Sequence, residues 1–257
     1  MTVIEKIQYP QLFDRYRSQK YFFPLIASVL LDEQDGVVYG DRADSPNQVF
    51  VQHSFGYSQI FGESVPRFEF DLNNYLLINK AFEIEKIRLY MPQPFLILSA
   101  EIPSEFRSER QRFVLGERYE SVAISEDIDF PVSVIHEEDI PSLEQTFGVV
   151  NRFWRSNSDF LLHSRAVVAK DKSKVLGICY AAALADRHAE IDVATLPEYR
   201  QRGIGKALVT KFIGICCQDS IRPSWDCFTN NFGSMALCRT SGFIAKQPPY
   251  PFFTIKK

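Results

Sequence analysis

The residues best placed to do chemistry lie between Glu190 and Lys206. An alternating apolar stretch, 189–195, runs into a loop containing Pro197. The loop ends in Arg200-Gln201-Arg202-Gly203-Ile204-Gly205-Lys206, and a helical pattern begins at once. The first N–H groups of a helix have no intrahelical partner, and the macrodipole places partial positive charge there. Gly203 and Gly205 carry no side chain to block a phosphate and give the turn conformational freedom. Arg200, Arg202 and Lys206 add charge around it. The pattern reads as an anion cradle. A Walker loop would need GxxxxGK followed by Ser or Thr, which is absent, and a dinucleotide fingerprint would need glycine where Leu208 stands. The plain alternative is a tight strand-to-helix turn beside surface arginines.

Other clusters have simpler readings. His136-Glu137-Glu138-Asp139 looks like a set of metal ligands, but it falls where a strand meets a helix start, and acids there complement the dipole. No metal is expected. Cys216 and Cys217 lie in an apolar stretch, 212–217, and read as packing residues; Trp154 and Trp225 read more readily as core than as a substrate cage. No GxSxG elbow occurs. The five cysteines, Cys179, Cys216, Cys217, Cys227 and Cys238, show no paired zinc spacing. The N-terminus carries Glu5 and has neither an apolar core nor a small-residue cleavage site, so reduced thiols in a cytoplasmic protein are expected.

Several elements must hold the cradle. With 257 residues, 46% hydrophobic and 24% charged, the chain is an ordinary globular one of one or two domains. The longest nearly unbroken apolar run, 22–31, is half of what a bilayer span needs, so no membrane helix is expected. Acids outnumber bases 32 to 29, which argues against nucleic-acid binding. The charge is uneven: residues 1–130 hold 20 acids and 13 bases (net −7), and residues 131–257 hold 12 and 16 (net +4). The basic half suits an anionic ligand.

In the first half, residues 27–31 and 37–39 flank the turn pair Asp35-Gly36 and read as a hairpin; 48–52 reads as a strand. Residues 82–89 and 95–99 fit strand or helix, and 103–131 is charged and poorly patterned, with the domain boundary placed near its end. In the second half, strands are expected at 132–136, 165–170, 175–183, 189–195, 225–228 and 252–255. Helices are expected at 138–147, 149–162, 203–218 and 231–240, the last stopped by Gly242.

The cradle and its flanks resemble the GNAT superfamily of acyl-CoA N-acyltransferases. Arg200, Gly203 and Gly205 meet its Q/R-x-x-G-x-G/A signature, the strand before them ends V-x-x-x-P-x-Y-R, and Asn231, Ser234 and Gly242-Phe243 match its second block. The likeness covers residues 131–257. A narrower likeness, to the zwittermicin A resistance-type branch, rests on Phe153-Trp154, the run Arg222 to Cys227, Ser234 and residues 24–70. The resemblance implies an α+β fold of mixed layers. Residues 131–257 would form a GNAT domain with a central mixed, mostly antiparallel sheet flanked by helices, and residues 1–130 a degenerate copy without a cofactor loop.

The resemblance also implies roles. Acetyl-CoA, the co-substrate, would rest its pyrophosphate on the backbone of Arg202, Gly203, Ile204, Gly205 and Lys206. Its pantetheine arm would pair with the backbone of Val193 and Thr195, and Asn231 would contact the arm. Glu190 lies where several members place a carboxylate that receives or orients the amine; alternation puts Asp192 on the same face as a second candidate. Cys238 stands where a tyrosine often protonates the departing thiolate. A thiol could donate, although such a cysteine more commonly packs a core. The expected activity is acetylation of a primary amine on a small molecule, with an amino-bearing antibiotic or metabolite suggested by the narrower likeness. The N-terminal half would shape the acceptor cleft or a homodimer. An acyl-CoA-binding regulator without turnover and an aromatic-rich interaction module are the competing readings.

Overall fold

The computed structural model describes residues 1–95, 101–117, 130–172 and 174–257. The strands, in chain order, are β1 (Thr2–Val3), β2 (Gly36–Gly40), β3 (Gln48–His53), β4 (Tyr57–Gly62), β5 (Lys86–Tyr90), β6 (Arg107–Leu115), β7 (Val132–Val134), β8 (Val167–Asp171), β9 (Lys174–Ala185), β10 (His188–Thr195), β11 (Arg222–Phe228), β12 (Phe243–Ala245) and β13 (Tyr250–Lys256). The α-helices are α1 (Tyr9–Arg17), α2 (Pro24–Leu30), α3 (Pro66–Asn73), α4 (Ile140–Phe147), α5 (Val150–Phe153), α6 (Asn157–His163), α7 (Ile204–Gln218) and α8 (Phe232–Thr240). The chain forms two compact units: residues 1–110 together with 249–257, and residues 111–248. Both are mixed sheets with flanking helices, an α+β architecture.

In the first unit the strand order is β1-β2-β3-β4-β5-β13-β6. Pairing is antiparallel from β1 to β4, and β4 to β5 is parallel. The parallel step is made across α3, as such a crossover requires. The C-terminal strand β13 inserts antiparallel to both β5 and β6. Its Phe253 and Ile255 complete a core with Phe50, Phe68, Leu72 and Leu89.

The second unit repeats that grammar. Its order is β6-β11-β10-β9-β8-β7, antiparallel from β7 to β10 and parallel from β10 to β11 across α7. Helix α7 buries Ile204, Leu208, Val209, Phe212, Ile213 and Cys216, residues recurring at the three-to-four spacing of one helix face. They pack on Ile191, Trp225, Cys227 and Phe243.

Several expected elements differ. Residues 27–30 belong to helix α2, whose seven residues are all buried, and Leu31 caps it; Pro24 at its first turn is preorganised for a helix, and the strand that starts at Gly36 pairs with β3 instead. The poorly patterned 103–131 holds the nine-residue β6, whose charged alternation hides a strand. The helix expected over 149–162 is two helices, because extended Trp154 ends one and Ser156 caps the next by accepting from Asp159 N. Cys216 is buried but Cys217 is exposed, since only one of two adjacent helical residues can face a sheet. Most of the candidate segment 95–99 lies outside the described residues.

Candidate active site

The site is built where β10 leaves its neighbour. Along one edge β10 pairs with β9 over its full length, His188↔Ala185 to Thr195↔Gly177, with a register shift between Glu190 and Ile191. Along the other edge it pairs with β11 only at His188↔Arg222, Ala189↔Pro223 and Glu190↔Ser224. Strand β11 continues to Phe228, so the two strands part after Glu190. Among the described residues the stretch holding Val193 and Thr195 therefore has no strand partner on that edge, which is a template for an extended partner.

That edge leads into the cradle. After a 3₁₀ turn at Pro197–Tyr199, Gly203 takes φ +77° and α7 begins at Ile204. The left-handed conformation favours glycine at 203, and an added Cβ there would meet nothing within 4 Å, so the face is open. At Gly205 a Cβ would come within 3.2 Å of Leu237, so glycine there permits close helix packing. Arg200, Arg202 and Lys206 are exposed; Arg200 Nε donates to Thr195 O at 3.3 Å, and Arg202 lies over the Tyr199 ring. Asn231 caps α8 by accepting from Ser234 N at 3.1 Å, and Trp225 Nε1 donates to Ser234 Oγ at 3.0 Å.

The sheet's two faces divide the remaining candidates. Ile191 and Val193 pack toward α7. Glu190 faces away and is buried in an ion pair: Arg112 Nη1 lies 3.0 Å from Glu190 Oε2 and 3.7 Å from Asp226 Oδ2, while Arg112 Nη2 donates to Ser224 Oγ at 2.9 Å. Ser224 Oγ in turn donates to Ala189 O. The sequence contains these partners but nothing in its spacing points to Arg112, 78 positions from Glu190. Asp192 is half-exposed, and its Oδ2 accepts from Tyr180 Oη at 2.6 Å and from Arg152 Nη1 at 3.4 Å.

Cys238 lies in the α7-side core, fully buried, and burial together with neighbouring Cys227 pushes its thiol well up. Trp154 is buried with Nε1 donating to Ala181 O, and Trp225 is core. At 136–139, His136 N donates to Asp139 Oδ2 and Lys170 pairs with Asp139, so these groups serve a helix start. All five cysteines are free, and no helix among the described residues is long and apolar enough to cross a membrane.

The GNAT acetyltransferase family model matches residues 19–253. The chain belongs to that family. This makes it an N-acetyltransferase of a family whose members use acetyl-CoA as acyl donor. The GNAT chain is 24% identical over 238 residues to an uncharacterized N-acetyltransferase, YdfB, of Bacillus subtilis, covering 87% of each. Its fold is similar to a GCN5-related N-acetyltransferase-like protein from Streptococcus suis (TM-score 0.74, 17% identity, 98% of this chain and 100% of that one). It is also similar to a tandem GNAT protein from the clavulanic acid biosynthesis pathway (TM-score 0.63, 9% identity, 99% and 97%).

Proposed function

We propose that the protein transfers the acetyl group of acetyl-CoA to a primary amine of a small molecule, an amino-bearing antibiotic or metabolite. The carrying observation is the parting of β10 from β11 directly ahead of the open Gly203 turn. In this reading the backbone from Arg202 to Lys206, with the charge of Arg200, Arg202 and Lys206, receives the pyrophosphate. The free edge at Val193 and Thr195 takes the pantetheine arm, and Asn231 borders it. Catalysis belongs to the second unit, residues 111–248, which holds Arg112 as well as Glu190.

Acetyl-CoA supplies an activated acyl carbon. The protein must supply a neutral amine, and a lysine-like ammonium of pKa about 10.4 costs roughly 4–5 kcal/mol to deprotonate at pH 7. Glu190 takes that proton, held in place by Arg112. The nitrogen lone pair then attacks the thioester carbon, the C–N bond forms, the C–S bond breaks with its electron pair leaving on sulfur, and the second N–H proton passes to that thiolate, giving the amide and the free CoA thiol.

Calorimetric titration with acetyl-CoA, followed by thiol detection across a panel of primary amines, tests this reading. Micromolar binding and thiol release are expected; binding without release would favour a regulator, and no binding by folded protein would overturn the site. Glu190→Gln should lower turnover about 10²-fold with acetyl-CoA affinity unchanged. Cys238→Ala with full turnover assigns that thiol to packing, whereas lost turnover at unchanged affinity assigns it to proton donation.

A further inference from the structure

Two carboxylates occupy one face of β10, and their surroundings differ. The Glu190 side chain is 7% exposed and its neighbours are Arg112, Ser224 and Asp226. The Asp192 side chain is 36% exposed. It lies beyond the last β11 partner, on the stretch whose edge is free. Both of its hydrogen bonds, from Tyr180 Oη and Arg152 Nη1, fall on Oδ2. No described residue is a hydrogen-bond partner of Oδ1.

We propose that Asp192 docks the ammonium group of the acceptor through Oδ1 and that Tyr180 is the residue that positions it. This rests on the acetyltransferase reading above and divides the labour at that site: the outer carboxylate binds the amine and the inner one takes its proton.

A carboxylate with one oxygen held and the other open is suited to an ammonium, a compact donor of three N–H groups. The short O–H···O⁻ bond from Tyr180, at 2.6 Å, is charge-assisted and fixes the carboxylate plane more firmly than the longer Arg152 bond. Tyr180 is itself fully buried and tilts against Phe160, so its hydroxyl cannot swing away. It stands directly across the ladder from Asp192. The two carboxyl-bearing residues are two positions apart, about 6.6 Å along a strand, a gap that an ammonium and one water can span. Because the unmatched residue of the register shift is Ala182 on β9, the alternation on β10 is intact and both side chains share the face opposite Ile191 and Val193.

The test is binding of n-butylamine hydrochloride to the protein saturated with CoA, followed by ligand-observed NMR, for the native chain, Asp192→Asn, Asp192→Glu, Tyr180→Phe and Glu190→Gln. Each variant is checked for a cooperative melting transition and an unchanged CoA affinity. Native protein should bind the amine, and Glu190→Gln should weaken that binding less than Asp192→Asn does. Asp192→Asn should bind at least tenfold more weakly, Asp192→Glu should recover part of the loss, and Tyr180→Phe should weaken binding several-fold. Equal binding by native protein and Asp192→Asn overturns the proposal, as does no binding by the native protein. Should Asp192→Asn fail to fold, equal binding by Tyr180→Phe and native protein overturns it. In each of those cases acetyl-CoA binding with thiol release leaves the acetyltransferase reading standing; that reading fails if the native protein does not bind acetyl-CoA or binds it without releasing thiol.

Discussion

Arg112 sits between two buried carboxylates, with its own side chain 5% exposed. Taking away one member of such a group leaves charge in a low-dielectric interior, which commonly costs about 3–5 kcal/mol. Arg112→Met should therefore lower stability by that order in chemical denaturation, and adding Glu190→Gln should recover part of it. A second buried group gives a pH signature. His53 is fully buried in β3, with Nε2 beside Gln34 Oε1 and Nδ1 accepting from Phe55 N, and burial pushes its imidazole down to about 4. The unfolded chain binds the proton more tightly, with a pKa near 6.5, so the stability from neutral His53 is present above 6.5. It is lost as pH falls from there toward 4, by up to about 3 kcal/mol. Denaturant midpoints at pH 7.5 and 4.5 should show a larger drop for the native chain than for His53→Gln. At this scale the sequence shows which residues can react, and it marks Glu190 and Asp192 correctly as sharing a face. It does not show their partners, because Arg112 is 78 positions from Glu190 and Tyr180 owes its place to the β9–β10 register.

The turn at Gly203 is the element on which the donor site depends. Its φ of +77° is costly for any residue with a Cβ, and the space above it is empty. Gly203→Asp should fold with a loss of about 1–2 kcal/mol while putting a carboxylate into the cradle. Acetyl-CoA affinity should fall at least tenfold, read by calorimetry beside the melting transition; unchanged affinity would remove the loop from the site. Elements of the second unit were legible because their signals are local: a glycine turn before an apolar helix, an Asn cap before α8, and Gly242 at φ +87° after it. Helix α2 and strand β6 were not. Seven consecutive apolar or small residues from Pro24 have no period to separate helix from strand. In β6, Arg110, Gln111 and Arg112 are buried despite their polarity, so both faces of this stretch look like a surface.

At the scale of the molecule, the two units share one grammar, four antiparallel strands and then a parallel step across a helix, but the chain does not visit them in turn. Residues 249–257 return to the first unit after the second is complete. Removing them takes β13 from between β5 and β6 and takes Phe253 and Ile255 from the core. A chain lacking 249–257 should lose the first unit's cooperative melting transition and bind a hydrophobic dye, both measurable against the intact protein. The basic balance of residues 131–257 agrees with an anionic donor on that side, although a net of +4 alone names no ligand.

The late return of β13 also sets a timetable for synthesis. When residue 110 has been made, every residue of the first unit except 249–257 has been polymerised, and β13 still lies 140 residues away, at Tyr250. At ~5–20 residues per second the ribosome needs roughly 7–28 s to reach it. Throughout that interval the nascent chain holds β5 and β6 with the gap between them unfilled. The first half to be translated is the last to close, and for those seconds its bare strand edges are what a holding chaperone would meet.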